Sequence, residues 1–308
     1  MSRRLHAPRL ASYLKGGVSL LLVSAWYAWR WEPYHPVVRV RHVDVPSSWP
    51  PLTILHLSDL HLRRSARRLR AAQSRLLATL STQPDLVCVT GDLCETVADA
   101  SLVPRLLQPL HPAVGTFLIP GNHEYGARPH PALSRGFGGA LWHVLHRLFG
   151  RQLSSGAEEA EAIVADLRAA GLDILRNEGR RVEVKGRSLW IAGSDSLWAA
   201  QADTPSSAHG RLPGEGMLAL VHEPETAIDA AASGADLILA GHTHGGQVHL
   251  PFLGALYTHR VDPRITISSG RQMIGGAVLL VSAGFGQLLP LRFLCPPEIT
   301  WVYCRPRS

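Results

Sequence analysis

The sequence predicts an α/β domain built on parallel strands with helical crossovers, preceded by a separate apolar N-terminal segment. Three observations carry this. From Val37 onward short apolar runs alternate with helix-length stretches, and strands separated by such helices pair in parallel. The composition, 46% hydrophobic and 18% charged with 28 Gly and 22 Pro, is that of an ordinary globular protein rich in turns. Oxygen and imidazole donors gather where the apolar runs end, which is where open α/β sheets place their ligands. A chain of 308 residues forms a sizeable core without disulfide or metal staples, so collagen-like, disulfide-scaffold and disordered classes are excluded.

Taken in order, residues 1–36 form a basic N-terminus, an apolar segment and a linker, and residues 37–308 the main domain. Arg3, Arg4, Arg9 and Lys15 precede an uncharged run from Gly16 to Trp29. That run is shorter than the roughly 20 residues of a spanning helix, but Leu10 to Trp31 would reach across if Lys15 and Arg30 snorkelled. Trp26, Tyr27, Trp29 and Trp31 resemble an interfacial aromatic belt, which favours an uncleaved anchor over a signal cleaved near Val23-Ser24-Ala25. The basic residues on its N-terminal side favour a cytoplasmic N-terminus and an exported domain, and the run of Arg63 to Arg75 erodes that bias.

Beyond Pro36, Val37 to Val45 alternates as a strand and Leu52 to Leu57 reads as a buried one. A helix over Arg64 to Leu80 turns Leu69, Leu76, Leu77 and Leu80 inward. Strand Asp85 to Val89, a helix around Val97 to Leu107 and strand Val114 to Ile119 follow. Residues 126–154 read as a helical insertion, with Leu141, Val144, Leu145 and Leu148 at helical spacing and Trp142 and Phe149 widening the apolar face. Ser155-Gly156-Ala157-Glu158 is a capping-box pattern opening a helix that stops at Gly171. Strands then fall at Leu172 to Leu175, Arg181 to Val184, Ser188 to Ala192, Met217 to Val221, Asp236 to Ala240, Ala277 to Val281 and Ile299 to Tyr303. Thr204 to Glu215 reads as a mobile polar loop.

The 31 Lys and Arg against 24 Asp and Glu leave a formal charge of +7, which favours phosphorylated substrates, nucleic acid or acidic lipid. The four cysteines show no Cys-x-x-Cys spacing, which excludes a structural zinc knuckle, and a Cys295–Cys304 pair stays open. The 16 histidines are more telling, because several sit beside Asp, Asn and Gly. Five short motifs end apolar runs: Asp59-Leu60-His61, Gly91-Asp92, Gly121-Asn122-His123-Glu124, His222, and Gly241-His242-Thr243-His244. Each alone is weak; together they point to a metal site. Two divalent ions roughly 3.5–4 Å apart need a carboxylate between two ligand groups to act on phosphorus. The glycines before Asp92, Asn122 and His242 allow the turns that such a site requires. His56, His249 and His259 read as core or supporting residues, and Cys94 as a small packing residue.

At these residues the sequence resembles the calcineurin-like metallophosphoesterase superfamily, whose motifs occur in this order between about Leu52 and Tyr303. The resemblance implies a four-layer α/β/β/α sandwich with two mixed sheets flanked by helices, and two divalent metal ions, with Mn expected and Fe or Zn also suited. It implies one ion on Asp59, His61, Asp92 and His244, a second on Asp92, Asn122, His222 and His242, and His123 as the non-ligand acid. A narrower resemblance, carried by His56 to His61, Gly241 to Gln247 with Pro251, and Arg292 to Ile299, is to bacterial membrane-anchored or exported phosphodiesterases. Some of these cleave the pyrophosphate of UDP-2,3-diacylglucosamine. Against the exported domain that the N-terminal charges favour, a UDP-linked substrate would require a cytoplasmic site with the helix lying in the membrane. Two positions depart from that branch: Ala283 replaces an expected Arg, and Ser196 an expected Asp.

The expectation is therefore a hydrolase for a phosphodiester or pyrophosphate bond in a phosphorylated small-molecule or lipid substrate, held at the bacterial inner membrane. The alternatives are a nuclease or nucleotide phosphodiesterase, and a non-catalytic metal-binding scaffold. Nucleic acid is disfavoured as a partner because the Arg-rich helix lacks interleaved aromatics.

Overall fold

The computed structural model describes residues 7–63, 65–80, 82–126, 156–256, 262–287 and 289–308. In chain order, helix α1 (Ala7–Trp26) leads into strands β1 (Val37–Val45) and β2 (Leu52–Leu57). Helix α2 (Ala66–Leu77), β3 (Leu86–Thr90), α3 (Leu102–Leu107), β4 (Gly115–Ile119) and α4 (Ala157–Ala169) follow. Then come β5 (Asp173–Ile174), β6 (Glu178–Val184), β7 (Arg187–Gly193), β8 (Gly216–Leu220), α5 (Ala227–Ala232) and β9 (Leu237–Ala240). The chain closes with β10 (His249–Leu250), β11 (Gly254–Ala255), β12 (Gly270–Ile274), β13 (Ala277–Val281) and β14 (Glu298–Pro306).

These strands build two six-stranded sheets, ordered β1-β14-β2-β3-β4-β5 and β12-β13-β9-β8-β7-β6, beside the small β10–β11 hairpin. Side chains alternate between faces along each strand. Leu55 and Leu57 pack outward with Leu76 of α2, Leu106 of α3 and Ile163 of α4, whereas Ile54 packs inward between the sheets. Against Ile54 stand Leu218, Leu220, Leu237 and Leu239 of the second sheet. The outer face of that sheet, with Ala192, Ala219 and Val221, lies against Ala227 and Ala230 of α5. The result is helix, sheet, sheet, helix, and because β3 and β8 are covered on both faces they read as uninterrupted apolar runs.

The alternation of strands and helices by itself suggests one parallel sheet, whereas the two mixed sheets found are those the family resemblance implies. Parallel pairing holds for β2-β3-β4-β5 and β7-β8-β9, but β14 enters between β1 and β2, antiparallel to β2, and β6–β7 and β12–β13 are antiparallel hairpins. An apolar run does not encode strand direction. The helix expected over Val97 to Leu107 divides into a 3-10 turn at Val97–Asp99 and α3, with Pro104 in the first turn of α3. Leu77, placed inward by periodicity, is 46% exposed, while Leu69 and Leu76 are buried. Helix α4 is capped by Gly156, with no side-chain cap bond, and Ser155 lies outside the described residues. So does the expected 126–154 insertion beyond Gly126. The loop expected to be mobile carries a helical turn at Thr204–Ser207, capped by Asp203. Farther on it is tied down by Arg181–Glu215 at 2.8 Å and by Leu212 N–H to Glu215 at 2.9 Å.

Helix α1 ends at Trp26, and the chain continues through a π turn over Tyr27–Trp31 and a 3-10 turn over Glu32–Tyr34. These turns dock on the segment before β14. Ala28 O accepts from Arg292 N at 2.9 Å, the buried Glu32 carboxylate accepts from Leu294 N and Cys295 N, and Pro33 O accepts from Gln287 Nε2 at 2.8 Å. No helix among the described residues is long and apolar enough to cross a membrane.

Candidate metal centre

Strands β2, β3 and β4 run parallel in one sheet, as do β8 and β9 in the other, so the loops at their carboxyl ends meet at one end of the sandwich. There Asp59, His61, Asp92, Asn122, His123, His222, His242 and His244 come together, all buried. The ligand atoms of Asp59, His61, Asp92 and His244 lie within 4.8 Å of one another. Nε2 of His61 faces Nε2 of His244 at 3.0 Å and Asp92 Oδ2 at 3.5 Å, and Nε2 of His244 stands 3.6 Å from Asp59 Oδ1. Beside this group, Asn122 Oδ1 lies 3.1 Å from His222 Nε2 and 2.9 Å from His242 Nδ1. His222 Nε2 is in turn 3.3 Å from Asp92 Oδ1. One oxygen of Asp92 therefore faces each group.

The backbone is bent to achieve this. Asp59, His61, Asp92, His242 and His244 all adopt positive φ, between 43° and 69°. For residues with a Cβ this costs on the order of 1–2 kcal/mol each, and such strain gathers at functional sites. Bonds between loops offset it: Asp59 N–H to Gly91 O at 3.1 Å, His61 N–H to Asp92 O at 2.9 Å and Gly286 N–H to Asp59 O at 2.8 Å. The glycines before the ligand positions do different things. Gly91 has φ 79°, as expected for a turn. Gly241 is needed for space: a Cβ there would sit 1.7 Å from Ser58 Oγ and 2.6 Å from Asp59 Oδ2.

Several residues that the motifs did not single out complete the site. Glu95, three residues past Asp92, accepts from His61 Nδ1 at 2.6 Å and stands 3.4 Å from His123 Nδ1, with Arg63 at 3.6 Å. It holds both rings so that their Nε2 atoms face Asp92. A carboxylate on the far nitrogen of a ligating histidine fixes tautomer and orientation. Burial works against a charged His123, but Asp92 and Glu95 outweigh it and raise the ring's pKa to about 9. Burial likewise opposes the charge on Asp92, yet His222 and His123 hold its carboxyl well below the usual range. Glu124, the last residue of its motif, accepts from Leu93 N, Cys94 N and Gly121 N at 2.7, 3.2 and 2.6 Å, lacing the loop after β3 to that after β4.

The fully buried Glu223, directly after His222, accepts from Ser196 Oγ, Leu197 N and Trp198 N at 2.5, 3.0 and 3.1 Å. Serine at position 196 suits this carboxylate, where the expected aspartate would repel it. The turn carries Trp198, whose ring meets His242 edge-on at 4.1 Å between centroids. A cleft of about 350 Å³ opens here, lined by Asn122, Tyr125, Trp198 and Gln201 among others. Tyr125 is set by Asp195 and Arg176, at 2.6 and 2.8 Å from its hydroxyl. At the other departure, the Ala283 carbonyl accepts from the fully buried Arg292 at 2.7 Å, and the same guanidinium reaches His244 Nδ1 at 3.2 Å.

The remaining candidates take supporting roles. His56 is buried against Thr90 Oγ1 at 2.8 Å, and burial lowers its pKa to about 3. His249 Nε2 bonds Gly245 O at 2.6 Å. His259 lies outside the described residues. All four cysteines are free and buried, Cys94 packing in the outer core beneath the helices, so no Cys295–Cys304 disulfide forms.

Carboxylate, carboxamide and imidazole donors converging without intervening apolar groups are the chemistry of divalent transition-metal sites, and the residues present fit such ions. Residues 52–246 match the model of the calcineurin-like phosphoesterase family. Phosphodiesterase YaeI of Escherichia coli is 29% identical over 87% of this chain and 88% of its own length. The uncharacterized metallophosphoesterase YkuE of Bacillus subtilis is 29% identical over 97% of this chain and 96% of its own. The UDP-2,3-diacylglucosamine pyrophosphatase LpxG of Chlamydia trachomatis is 26% identical over 82% of this chain and 83% of its own. With the family's motifs gathered in one buried centre, the chain belongs to the calcineurin-like phosphoesterases and is a metal-dependent phosphoester hydrolase.

Proposed function

We propose that this protein hydrolyses a phosphodiester or pyrophosphate bond in a lipid or nucleotide-lipid substrate, using two divalent ions at the membrane. The observation that carries the reading is Asp92, with one carboxylate oxygen toward each ligand group. Asp59, His61, Asp92 and His244 hold one ion, and Asp92, Asn122, His222 and His242 the other. Mn is the expected metal, and Fe or Zn suits the same donors. When bound, the pair supplies an activated water nucleophile and neutralises charge developing on phosphorus.

The chain's own groups do the rest. His123 holds a proton beside Asp92, oriented by Glu95, and gives it to the leaving oxygen; a scaffold without catalysis has no use for this pair. Trp198 and Tyr125 wall the cleft that receives the leaving group or the distal substituent. The net positive charge draws a phosphorylated ligand. The lipid class is supported by LpxG, whose name gives a diacylated nucleotide sugar as its substrate. The membrane is supported by α1, which is exposed from Gly16 to Val23 and uncharged there.

The test is turnover of bis-p-nitrophenyl phosphate with Mn, followed by a panel of UDP-diacylglucosamine, phospholipids and single-stranded DNA. Asp92→Asn should lose metal and activity together, whereas His123→Ala should keep both ions and slow the esters with poor leaving groups most. Absence of turnover with every divalent metal would refute the enzyme reading. A preference for DNA would make the protein a nuclease.

A further inference from the structure

The described surface carries a second cluster of exposed apolar side chains besides α1. The β10–β11 hairpin begins five residues after His244, and its turn exposes Phe252 at 108%, Leu253 at 77% and, just beyond β11, Leu256 at 56%. Phe252 sits at φ 67°, a conformation unfavourable for a bulky residue. The fold thus holds an aromatic ring away from its own core.

The foot of this hairpin lies against the base of α1. His249 N–H bonds Phe293 O at 2.8 Å, Phe293 N–H bonds Gln247 O at 3.0 Å, and the Phe293 ring meets Tyr27 edge-on at 6.2 Å. Leu294, next in the chain and 49% exposed, has its N–H on Glu32. Around this junction Trp26, Trp29 and Trp31 are also exposed, at 55%, 37% and 46%. Exposed apolar side chains thus stand on α1, at Leu294 and at the tip of a hairpin whose foot touches the end of α1.

What covers this surface is indicated by α1. Leu20, Leu21, Leu22 and Val23 are consecutive, point to every side of the helix, and are 60–71% exposed. A single protein partner typically covers one face of a helix, whereas a helix apolar on every side is covered by a larger assembly or by lipid, and the flanking tryptophans and Arg30 favour lipid. Tryptophans and Arg30 at its end are the residues that settle at a membrane–water interface. We infer that the β10–β11 hairpin tip, with Leu294, is a second bilayer contact that seats the end of the sandwich bearing the metal centre against the lipid surface. This rests on the membrane reading above and deepens it: the substrate is an amphiphile met while its acyl chains remain in the bilayer.

The test uses the full chain in phosphatidylcholine–phosphatidylglycerol vesicles containing nitroxide-labelled acyl chains. All four native cysteines are buried, so a fluorophore on an introduced exposed cysteine labels selectively. Separate Phe252→Cys, Leu253→Cys and Leu21→Cys proteins report the hairpin and α1. Lys185→Cys, at the opposite end of the sheets beside Pro51 and Asp85, is the control. The expected result is a loss of about half the emission or more at 252, 253 and 21, with none at 185. Quenching at 21 alone would overturn the hairpin contact and leave the membrane reading standing. Quenching at none of the sites would remove both. Equal quenching at 185, or emission that changes with protein concentration rather than with nitroxide, would also overturn the contact.

Discussion

Replacing Glu223 by glutamine removes a charge and keeps the shape. In the native protein one oxygen accepts from Ser196 Oγ at 2.5 Å and Trp198 N at 3.1 Å, and the other from Leu197 N at 3.0 Å. A glutamine can keep its carbonyl oxygen on the first two donors, but its amide then points a donor at Leu197 N–H. Two charge-assisted bonds become neutral ones, losing roughly 0.5–1.5 kcal/mol each, and one amide is left unmade, at roughly 1–3 kcal/mol. Leu197 is 37% exposed, so water recovers part of that last loss. The expected destabilisation is about 2–3 kcal/mol. Denaturant titration of Glu223→Gln reads it directly. Because the turn carries Trp198, KM for a bulky diester should rise severalfold while metal content is retained. A loss below about 0.5 kcal/mol, with KM unchanged, would show that Glu223 does not hold the turn.

Glu95→Gln should shift the alkaline limb of the kcat/KM profile to lower pH by about 1–2 units, since one of the carboxylates that keep His123 protonated is gone. A limb that stays in place would assign the acid to another group. Glu215 should make stability acid-sensitive: burial opposes its charge, but bonds from Arg181, Ser188 and Leu212 N–H lower its pKa to about 2. A depressed acid stabilises above its unfolded pKa and loses that contribution as pH falls through the folded one. Glu215→Gln should therefore cost about 1–2 kcal/mol at pH 7, allowing for the part-exposed Arg181, a cost that fades as pH falls toward 2 and is gone below it. Equal costs at both pH values would mean that the ion pair is not the source.

The residues that gather at the candidate metal centre, and their place at strand ends, were legible in the sequence. Asp59, His61, Asp92, Asn122, His123, His222, His242 and His244 each end an apolar run, and a strand buried on both faces is an uninterrupted apolar run, so local pattern was enough to find them. Strand direction was not legible in the local pattern: β14 comes from the far end of the chain to lie between β1 and β2, and nothing in its own residues records its neighbours. Tertiary structure likewise decided the supporting residues. Glu95, Glu223 and Arg292 look like any charged side chain in sequence, and they matter because the fold buries each one against a histidine or a turn belonging to a different loop. The end of α1 belongs partly to this group: Arg30, Glu32 and Pro33 announce a stop, but Tyr27, Ala28 and Trp29 give no local reason for the α-helix to give way directly after Trp26. There the π turn docks through Ala28, and Glu32 beyond it, on Arg292, Leu294 and Cys295, a contact across more than half of the chain. Ligand identity is a property of side chains and is written locally, whereas orientation and support depend on which distant segments meet, and that is settled only when the chain folds.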